Sequence, residues 1–237
     1  MNALKHPLIN LSFLTLLCVC SVSSYAGETL WSLDLSNHAE GPAPEIGKGL
    51  EVRVEDGMKM LHSPQSEKVH YVRFPSNFPP FSETRDWNDL IFQVRFRSDS
   101  ATGLVLLMKK NGARNDVQYD WYYAQIFADG IQVRVHGLSK DASVNPEDPR
   151  VTNSIKFKDK GDPLLMRGKW VTVEAQIGEE VIKLTVTTED GFTYAGEFPT
   201  FSGAGGVHLL ALNPVDVAEI SVRKADAPVK PSKEAVP

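Results

Sequence analysis

Cysteine is almost missing from this chain, and its placement limits the chemistry of the rest. The 237 residues include two cysteines, Cys18 and Cys20, and both lie in an apolar N-terminal segment. A disulfide framework and a cysteine-based zinc site are therefore excluded from the remainder of the chain. Without such cross-links, the stability of that remainder must come from its hydrophobic core.

Positive charge is also in short supply. Lysine and arginine total 25 against 30 aspartate and glutamate residues, which gives a formal net charge of -5. No single stretch is basic enough to follow a phosphate backbone, so nucleic acid is not expected as a partner. Hydrophobic residues make up 42% of the chain, enough for one sizeable core, which excludes a chain that is disordered throughout.

The apolar run from Leu8 to Val22 is too short for a membrane anchor, because roughly 20 apolar residues are needed to span a bilayer. Lys5 precedes the run, and Ser24 and Ala26 follow it in the positions that a signal peptidase reads. Residues 1–26 are therefore predicted to be a signal peptide, cleaved after Ala26, that directs the chain to the periplasm or out of the cell. Neither cysteine follows a small residue, so lipid attachment is not expected, and no stable membrane anchor remains.

Helical periodicity is almost absent, and alternation of apolar and polar residues takes its place. The segment IFQVRFR at 91–97 alternates at every step after its first residue, and the segments at 131–136, 170–177 and 181–188 follow the same pattern. With weaker segments included, the chain has about thirteen predicted strands, too many for one open sheet. We therefore expect an all-β fold, a two-sheet antiparallel β-sandwich over residues 27–224. The weaker segments are Leu30–Leu35, Leu50–Glu55, Met58–His62, Val69–Phe74, Leu104–Lys109, Tyr122–Ala128, Phe192–Phe198, Val207–Leu212 and Asp216–Arg223.

Turn signals and composition divide the rest of the chain. Asp-Gly or Asn-Gly pairs at 56–57, 111–112, 129–130 and 190–191 separate apolar runs and predict tight hairpins. Residues 137–168 combine prolines and many charges with little alternation, which predicts a long loop off the sandwich. Residues 225–237, ADAPVKPSKEAVP, have three prolines and no aromatic residue, so we expect a disordered tail.

Three segments occur in a characteristic order: IFQVRFRSDSATGLVLL at 91–107, GKWVTVEAQI at 168–177 and HLLALNPVDVAEISVRK at 208–224. This order resembles the concanavalin A-like lectin/glucanase superfamily over most of Leu30–Lys224, and within it most the bacterial 3-keto-disaccharide hydrolase domain and laminin-G-like modules. The resemblance implies a jelly-roll sandwich with sugar as the default ligand, but the fold hosts lectins, hydrolases, lyases and adhesion modules alike. The residues that carry it are mostly architectural: Phe92, Val94, Phe96, Arg97, Gly103, Gly168, Trp170, Ile220 and Val222.

Motifs for catalysis or metal binding are sparse. The superfamily's glucanases carry Glu-x-Asp-x-x-Glu on one strand, and this motif is absent here. Glu174 projects from the middle of a well-defined strand and is the candidate general acid/base, with a surface carboxylate paired to a neighbouring strand as the alternative. Asp116 and Asp120 offer the oxygen ligands of a structural calcium, although their spacing matches no dedicated calcium loop. No other cofactor is expected.

The polar faces of the predicted strands carry side chains suited to sugars. Planar groups such as guanidinium, imidazole and amide bind hydroxyls and carboxylates, and aromatic rings stack on the apolar faces of pyranoses. If the strands at 91–97 and 131–136 belong to one sheet, these side chains converge on one binding surface. The alternative is an ordinary solvated sheet face. The candidate substrate-binding residues are Gln93, Arg95, Trp121, Tyr123, Arg134 and His136.

Three interpretations of function follow. The first is an exported carbohydrate-binding or adhesion-like module of the cell envelope. The second is a glycoside hydrolase of the 3-keto-disaccharide type, and the third is a structural envelope protein with a protein partner. The sequence leaves open whether the chain is an enzyme and what its oligomeric state is.

Overall fold

The computed structural model describes residues 27–64, 70–71, 89–99, 102–110, 121–127, 130–136, 152–156, 166–199, 206–211 and 214–232. The predicted signal peptide, the calcium candidates Asp116 and Asp120, and tail residues 233–237 lie outside this part of the chain. The described residues include no helix of the length and apolar character that a membrane crossing needs.

All the secondary structure of the described residues is β-strand. The strands are β1 (Thr29–Ser32), β2 (Gly41–Pro42), β3 (Glu51–Glu55), β4 (Met58–Ser63), β5 (His70–Tyr71), β6 (Leu90–Arg97), β7 (Thr102–Lys110), β8 (Trp121–Phe127), β9 (Gly130–His136), β10 (Thr152–Lys156), β11 (Trp170–Ile177), β12 (Val181–Thr188), β13 (Thr193–Pro199), β14 (Gly206–Ala211) and β15 (Val215–Lys224).

These strands form two antiparallel sheets. The nine-stranded sheet has the order β13-β12-β11-β6-β15-β4-β3-β2, and β1 adds to it by pairing with β15. The six-stranded sheet has the order β10-β9-β8-β7-β14-β5. Among the described residues, seven of the thirteen strand pairs join strands that are consecutive in the chain, and the other six join strands that are distant in sequence, so the assembly of each sheet also depends on long-range pairing.

The two sheets share one hydrophobic core. In the nine-stranded sheet, Phe92 and Val173 are completely buried, and they belong to the same apolar cluster as Leu106, Ala124 and Ile126 of the six-stranded sheet. Alternation explains this arrangement, because every second side chain of a strand turns to the same face. The predicted two-sheet antiparallel sandwich is confirmed. Each sheet has an outer face turned away from this core, and the two outer faces lie on opposite sides of the molecule.

Each predicted strand is present, two of them with the predicted bounds and the others with bounds shifted by a few residues, and the structure adds two more. One is the short β2. The other is β10, at Thr152–Lys156, inside the region 137–168 that was expected to be a loop. Its sequence TNSIK has Ile155 as its only strongly apolar residue, so periodicity gives no signal, and β10 forms by pairing its backbone with β9. The stretches 137–151 and 157–165 lie outside the described residues.

One predicted hairpin shows the expected turn chemistry in full. Asp56 and Gly57 join β3 to β4 with φ angles of 50° and 79°, both in the left-handed region. Asp tolerates this region better than most residues, and Gly adopts it freely. Gly191, with φ of 93°, likewise turns the chain between β12 and β13.

Residues 225–232, the described part of the tail, make hydrogen bonds to the sandwich, and the disorder of the tail stays a prediction. The Val229 N–H donates to Asp89 Oδ1 at 2.7 Å, and the Ser232 N–H donates to Glu197 Oε2 at 3.1 Å. The composition of the tail shows that it cannot form a core of its own, but it does not exclude docking by backbone hydrogen bonds to carboxylates. The described tail therefore lies along the nine-stranded sheet.

Candidate functional site

The topology divides the candidate site residues into two groups. The nine-stranded sheet holds Gln93, Arg95 and Glu174, and the six-stranded sheet holds Trp121, Tyr123, Arg134 and His136. Because the outer faces of the two sheets lie on opposite sides of the sandwich, the two groups do not form one surface. The condition under which Arg95 and Arg134 would converge, that their strands belong to one sheet, is therefore not met. Alternation within a strand predicts which residues share its face, but not which sheet the strand joins.

A tryptophan and two arginines lie together on the outer face of the nine-stranded sheet. Trp170 stands directly opposite Arg97 in the β11–β6 pair. The guanidinium carbons of Arg95 and Arg97 lie 5.1 and 4.9 Å from the centre of its ring, within the range of a cation–π interaction. Arg97 also donates two hydrogen bonds to Glu55, at 3.1 and 2.6 Å, and one to Asp216 at 3.0 Å. These contacts tie β3, β6, β11 and β15 together.

The charges of this group are matched to one another. The hydrogen bonds from Arg97 hold the pKa of Glu55 below its usual range, because they stabilise the ionised carboxylate. The bonds that Glu55 and Asp216 accept from Arg97 in turn raise the pKa of Arg97, so the guanidinium stays charged. The ring nitrogen Nδ1 of His62 lies 2.7 Å from the second oxygen of Asp216. The group therefore forms a network of internal ion pairs.

Glu174 and Arg95, two of the candidates on this sheet, have partners as well. Glu174, whose side chain is 27% exposed, accepts hydrogen bonds from Arg223 at 3.2 Å and from Gln176 at 2.9 Å. Arg223 reaches it across β6 from β15, so this carboxylate is paired with another strand of its own sheet. Arg95 lies 3.7 Å from Glu219. A catalytic role for Glu174 stays a prediction, and its observed contacts are those of a structural ion pair.

The other group of candidates is brought together on two neighbouring strands. The register of β8 and β9 pairs Trp121 with His136, Tyr123 with Arg134, and Gln125 with Gln132. On β8 these positions alternate with Ala124 and Ile126, which are buried in the shared core. The six residues therefore occupy positions on the outer face of the six-stranded sheet. We call this set the β8–β9 face.

The register extends the β8–β9 face to neighbouring strands. Tyr123 is opposite Leu107 on β7, which is in turn opposite His208 on β14, and Arg134 is opposite Thr152 on β10. His208 was missed by sequence reasoning, because its place beside β7 depends on a pairing between strands almost 100 residues apart, which leaves no local signal. Alternation with Tyr123, by contrast, would have identified Gln125.

Metal binding gains no support from the described residues, among which no group of three or more His, Cys, Asp or Glu side chains is arranged to hold an ion. Asp116 and Asp120 are outside that part of the chain. The structural calcium therefore stays a prediction.

No protein-family model matches the chain, and no curated protein matches it either. Among solved structures, it is similar to a glycoside hydrolase family 16 endo-glucanase from Bacteroides ovatus, with 7% identity over 81% of this chain and 99% of that one and a TM-score of 0.49. It is also similar to lectin I-B4 from Griffonia simplicifolia, with 10% identity over 81% and 98% of the two chains and a TM-score of 0.46. A protein from Bacillus subtilis with a galectin-like fold shows 12% identity over 84% and 96%, and a TM-score of 0.48. The closer resemblance to 3-keto-disaccharide hydrolases stays a prediction.

Proposed function

We propose that this protein is a carbohydrate-binding module and that it binds its ligand on the β8–β9 face. The observation that carries the proposal is the register of β8 and β9. It pairs an aromatic residue with a hydrogen-bonding cationic or imidazole residue twice in succession, at Trp121 with His136 and at Tyr123 with Arg134. Gln125 and Gln132 continue the same face by one more pair.

This arrangement of residue types suits a sugar. Aromatic rings stack on the C–H faces of pyranoses, while guanidinium, imidazole and amide groups bind hydroxyls from the side. Residues directly opposite in an antiparallel pair have Cβ atoms about 5 Å apart, and positions 121 to 125 span about 14 Å along the strand. The β8–β9 face is therefore a compact patch at the scale of a short oligosaccharide.

The nine-stranded sheet is the weaker candidate for a binding surface. Arg95 and Arg97 already pair with carboxylates of this sheet, and Glu174 pairs with Arg223. A ligand there would have to displace these contacts. Hydrolysis also has less support than binding. Glycosidases generally need two carboxyl groups beside the scissile bond, and the observed contacts of Glu174 are with Arg223 and Gln176. With its predicted signal peptide, the module would act in the periplasm or outside the cell.

A glycan array followed by calorimetric titration tests the proposal. We expect the protein to bind at least one glycan, and Arg134→Ala to weaken that binding by about ten- to a hundredfold, the loss of a charge-assisted hydrogen bond. Trp121→Ala should weaken it as well. Arg95→Ala is the matched control, because it removes an arginine from the opposite side of the sandwich and should leave the affinity unchanged.

Two results would overturn the proposal. One is a loss of binding in Arg95→Ala but not in Arg134→Ala, which would move the site to the nine-stranded sheet. The other is the absence of binding to any glycan on the array. Release of reducing sugar from a bound glycan would instead favour the hydrolase interpretation.

A further inference from the structure

Charge is distributed very differently over the two sheets. The six strands of the six-stranded sheet, within the bounds that the structure describes, contain neither aspartate nor glutamate. The strands of the nine-stranded sheet contain Glu51, Glu55, Glu174, Glu197, Asp216 and Glu219. The basic and histidine residues of the six-stranded sheet are His70, Lys109, Lys110, Arg134, His136, Lys156 and His208. This is unusual in a chain whose net charge is -5.

On the outer face of the nine-stranded sheet, Arg95 and Arg97 lie close to carboxylates. Arg97 bonds to Glu55 and Asp216, and Arg95 lies near Glu219, so each has a carboxylate partner on a strand of its own sheet. Arg134 occupies the corresponding kind of position on the outer face of the other sheet, whose strands offer no carboxylate.

Two further residues of the same face can carry positive charge. His136 is two positions along β9 from Arg134. His208 on β14 is opposite Leu107 on β7, which is opposite Tyr123 on β8, which is opposite Arg134 on β9. A cationic surface with no acidic side chain on its strands attracts anions and concentrates them at the surface. The acids nearest in sequence, Asp120 and Asp129, flank β8 and lie outside the described residues.

From this juxtaposition we infer that the ligand of the β8–β9 face is an acidic polysaccharide, one that carries uronate carboxylates or sulfate esters. The inference rests on the proposed function and names its ligand class. Arg134 supplies the group that recognises the anion, because the guanidinium fork matches the oxygens of a carboxylate or sulfate with two parallel hydrogen bonds. Trp121 and Tyr123 supply stacking for the sugar rings, which a simple anion does not need.

Calorimetric titration of the purified chain with matched ligands tests the inference. The probes are oligogalacturonate and its methyl ester, which differ in the charge of the uronate, and dextran sulfate and dextran, which differ in sulfation. We expect at least one charged probe to bind ten times more tightly than its neutral partner. The difference should shrink as the salt concentration rises from about 50 mM to about 500 mM, because salt screens the attraction. Binding of oligogalacturonate would indicate that the face recognises uronate, and binding of dextran sulfate would indicate that it recognises sulfate esters.

Variants locate the effect. Arg134→Gln should remove most of the preference for the charged probe, and His136→Gln provides a second, independent variant of the same face. Arg95→Gln is the control on the opposite sheet and should keep the preference in full. Equal melting temperatures would show that the variants are folded.

The outcomes separate this inference from the proposed function. Equal affinity for charged and neutral glycans, still sensitive to Arg134, would overturn the inference and leave carbohydrate binding intact. Failure of all four probes, together with an empty glycan array, would overturn both. Equally tight binding to a DNA oligonucleotide or to anionic lipid vesicles would overturn the assignment to a polysaccharide, because the face would then recognise negative charge alone.

Discussion

Arg97 does more for the architecture of the nine-stranded sheet than its sequence position suggests. It bonds to Glu55 on β3 and Asp216 on β15, and its guanidinium lies over Trp170 on β11. Its side chain is 25% exposed, so these contacts are partly shielded from water. The resemblance of segment 91–107 to the lectin/glucanase sandwich included this arginine among its architectural residues, and its contacts agree with that role.

Replacement of Arg97 by methionine should therefore destabilise the fold. Arg97→Met keeps most of the apolar stem but leaves two carboxylates without their cation, and we expect a loss of about 1–3 kcal/mol in the free energy of unfolding, measured by urea denaturation. Arg53→Met is the control. Arg53 is 48% exposed and pairs with Glu51 on its own strand, so its loss should stay within about 0.5 kcal/mol. Equal losses in the two variants would show that the contacts of Arg97 contribute little.

At the scale of elements, local patterns predict strands well and their partners poorly. The strands Trp170–Ile177 and Val181–Thr188 match their predicted bounds, because strict alternation and a short link are visible within the segment itself. The strand β10 was missed, because it depends on pairing with β9 rather than on its own residues. The candidate site shows the same limit. Its residue types are visible in the sequence, but the separation of Arg95 from Arg134 is a property of sheet topology.

The docked tail gives a prediction of its own at this scale. A Cβ atom added at Gly178 would overlap the carbonyl oxygen of Val229, so Gly178→Ala must displace the tail. Hydrogen exchange of a peptide covering 225–232 should be slow in the wild type, because the Val229 and Ser232 amides are bonded to carboxylates, and fast in Gly178→Ala. Glu180→Ala, an exposed change in the same link, should leave it slow. Fast exchange in the wild type would contradict this prediction and support a disordered tail.

At the scale of the whole molecule, the first and last strands of the sandwich, β1 and β15, lie side by side. The Lys224 N–H donates to the carbonyl oxygen of Glu28 at 2.9 Å, and β1 pairs with β15. A Cβ atom at Gly27 would overlap the Lys224 carbonyl oxygen, so only glycine fits at that approach without a shift of the chain. The residue after the predicted cleavage site thus contacts the last strand.

Export with cleavage after Ala26 is expected to leave a mature chain that begins at Gly27. Expression with residues 1–26 in a bacterial host, followed by intact-mass measurement of the periplasmic fraction, checks this. Ala26→Gln, which blocks the small-residue requirement of the peptidase, should retain the uncleaved form. A mass that includes Met1 in the wild type, or a lipid adduct, would contradict the prediction.

The path of the tail also determines which sheet of the sandwich faces a support to which the protein is tethered through its tail. Glu197 accepts a hydrogen bond from the Ser232 N–H and pairs with Lys183. Lys183 alternates along β12 with the buried Ile182 and Leu184, so this pair lies on the outer face of the nine-stranded sheet. A linker fused directly after Ser232 would therefore begin on the side of the nine-stranded sheet. Immobilised through such a linker, the protein would turn the β8–β9 face away from the support, and an array of such copies would offer many parallel faces to one polymer chain, with a gain in avidity.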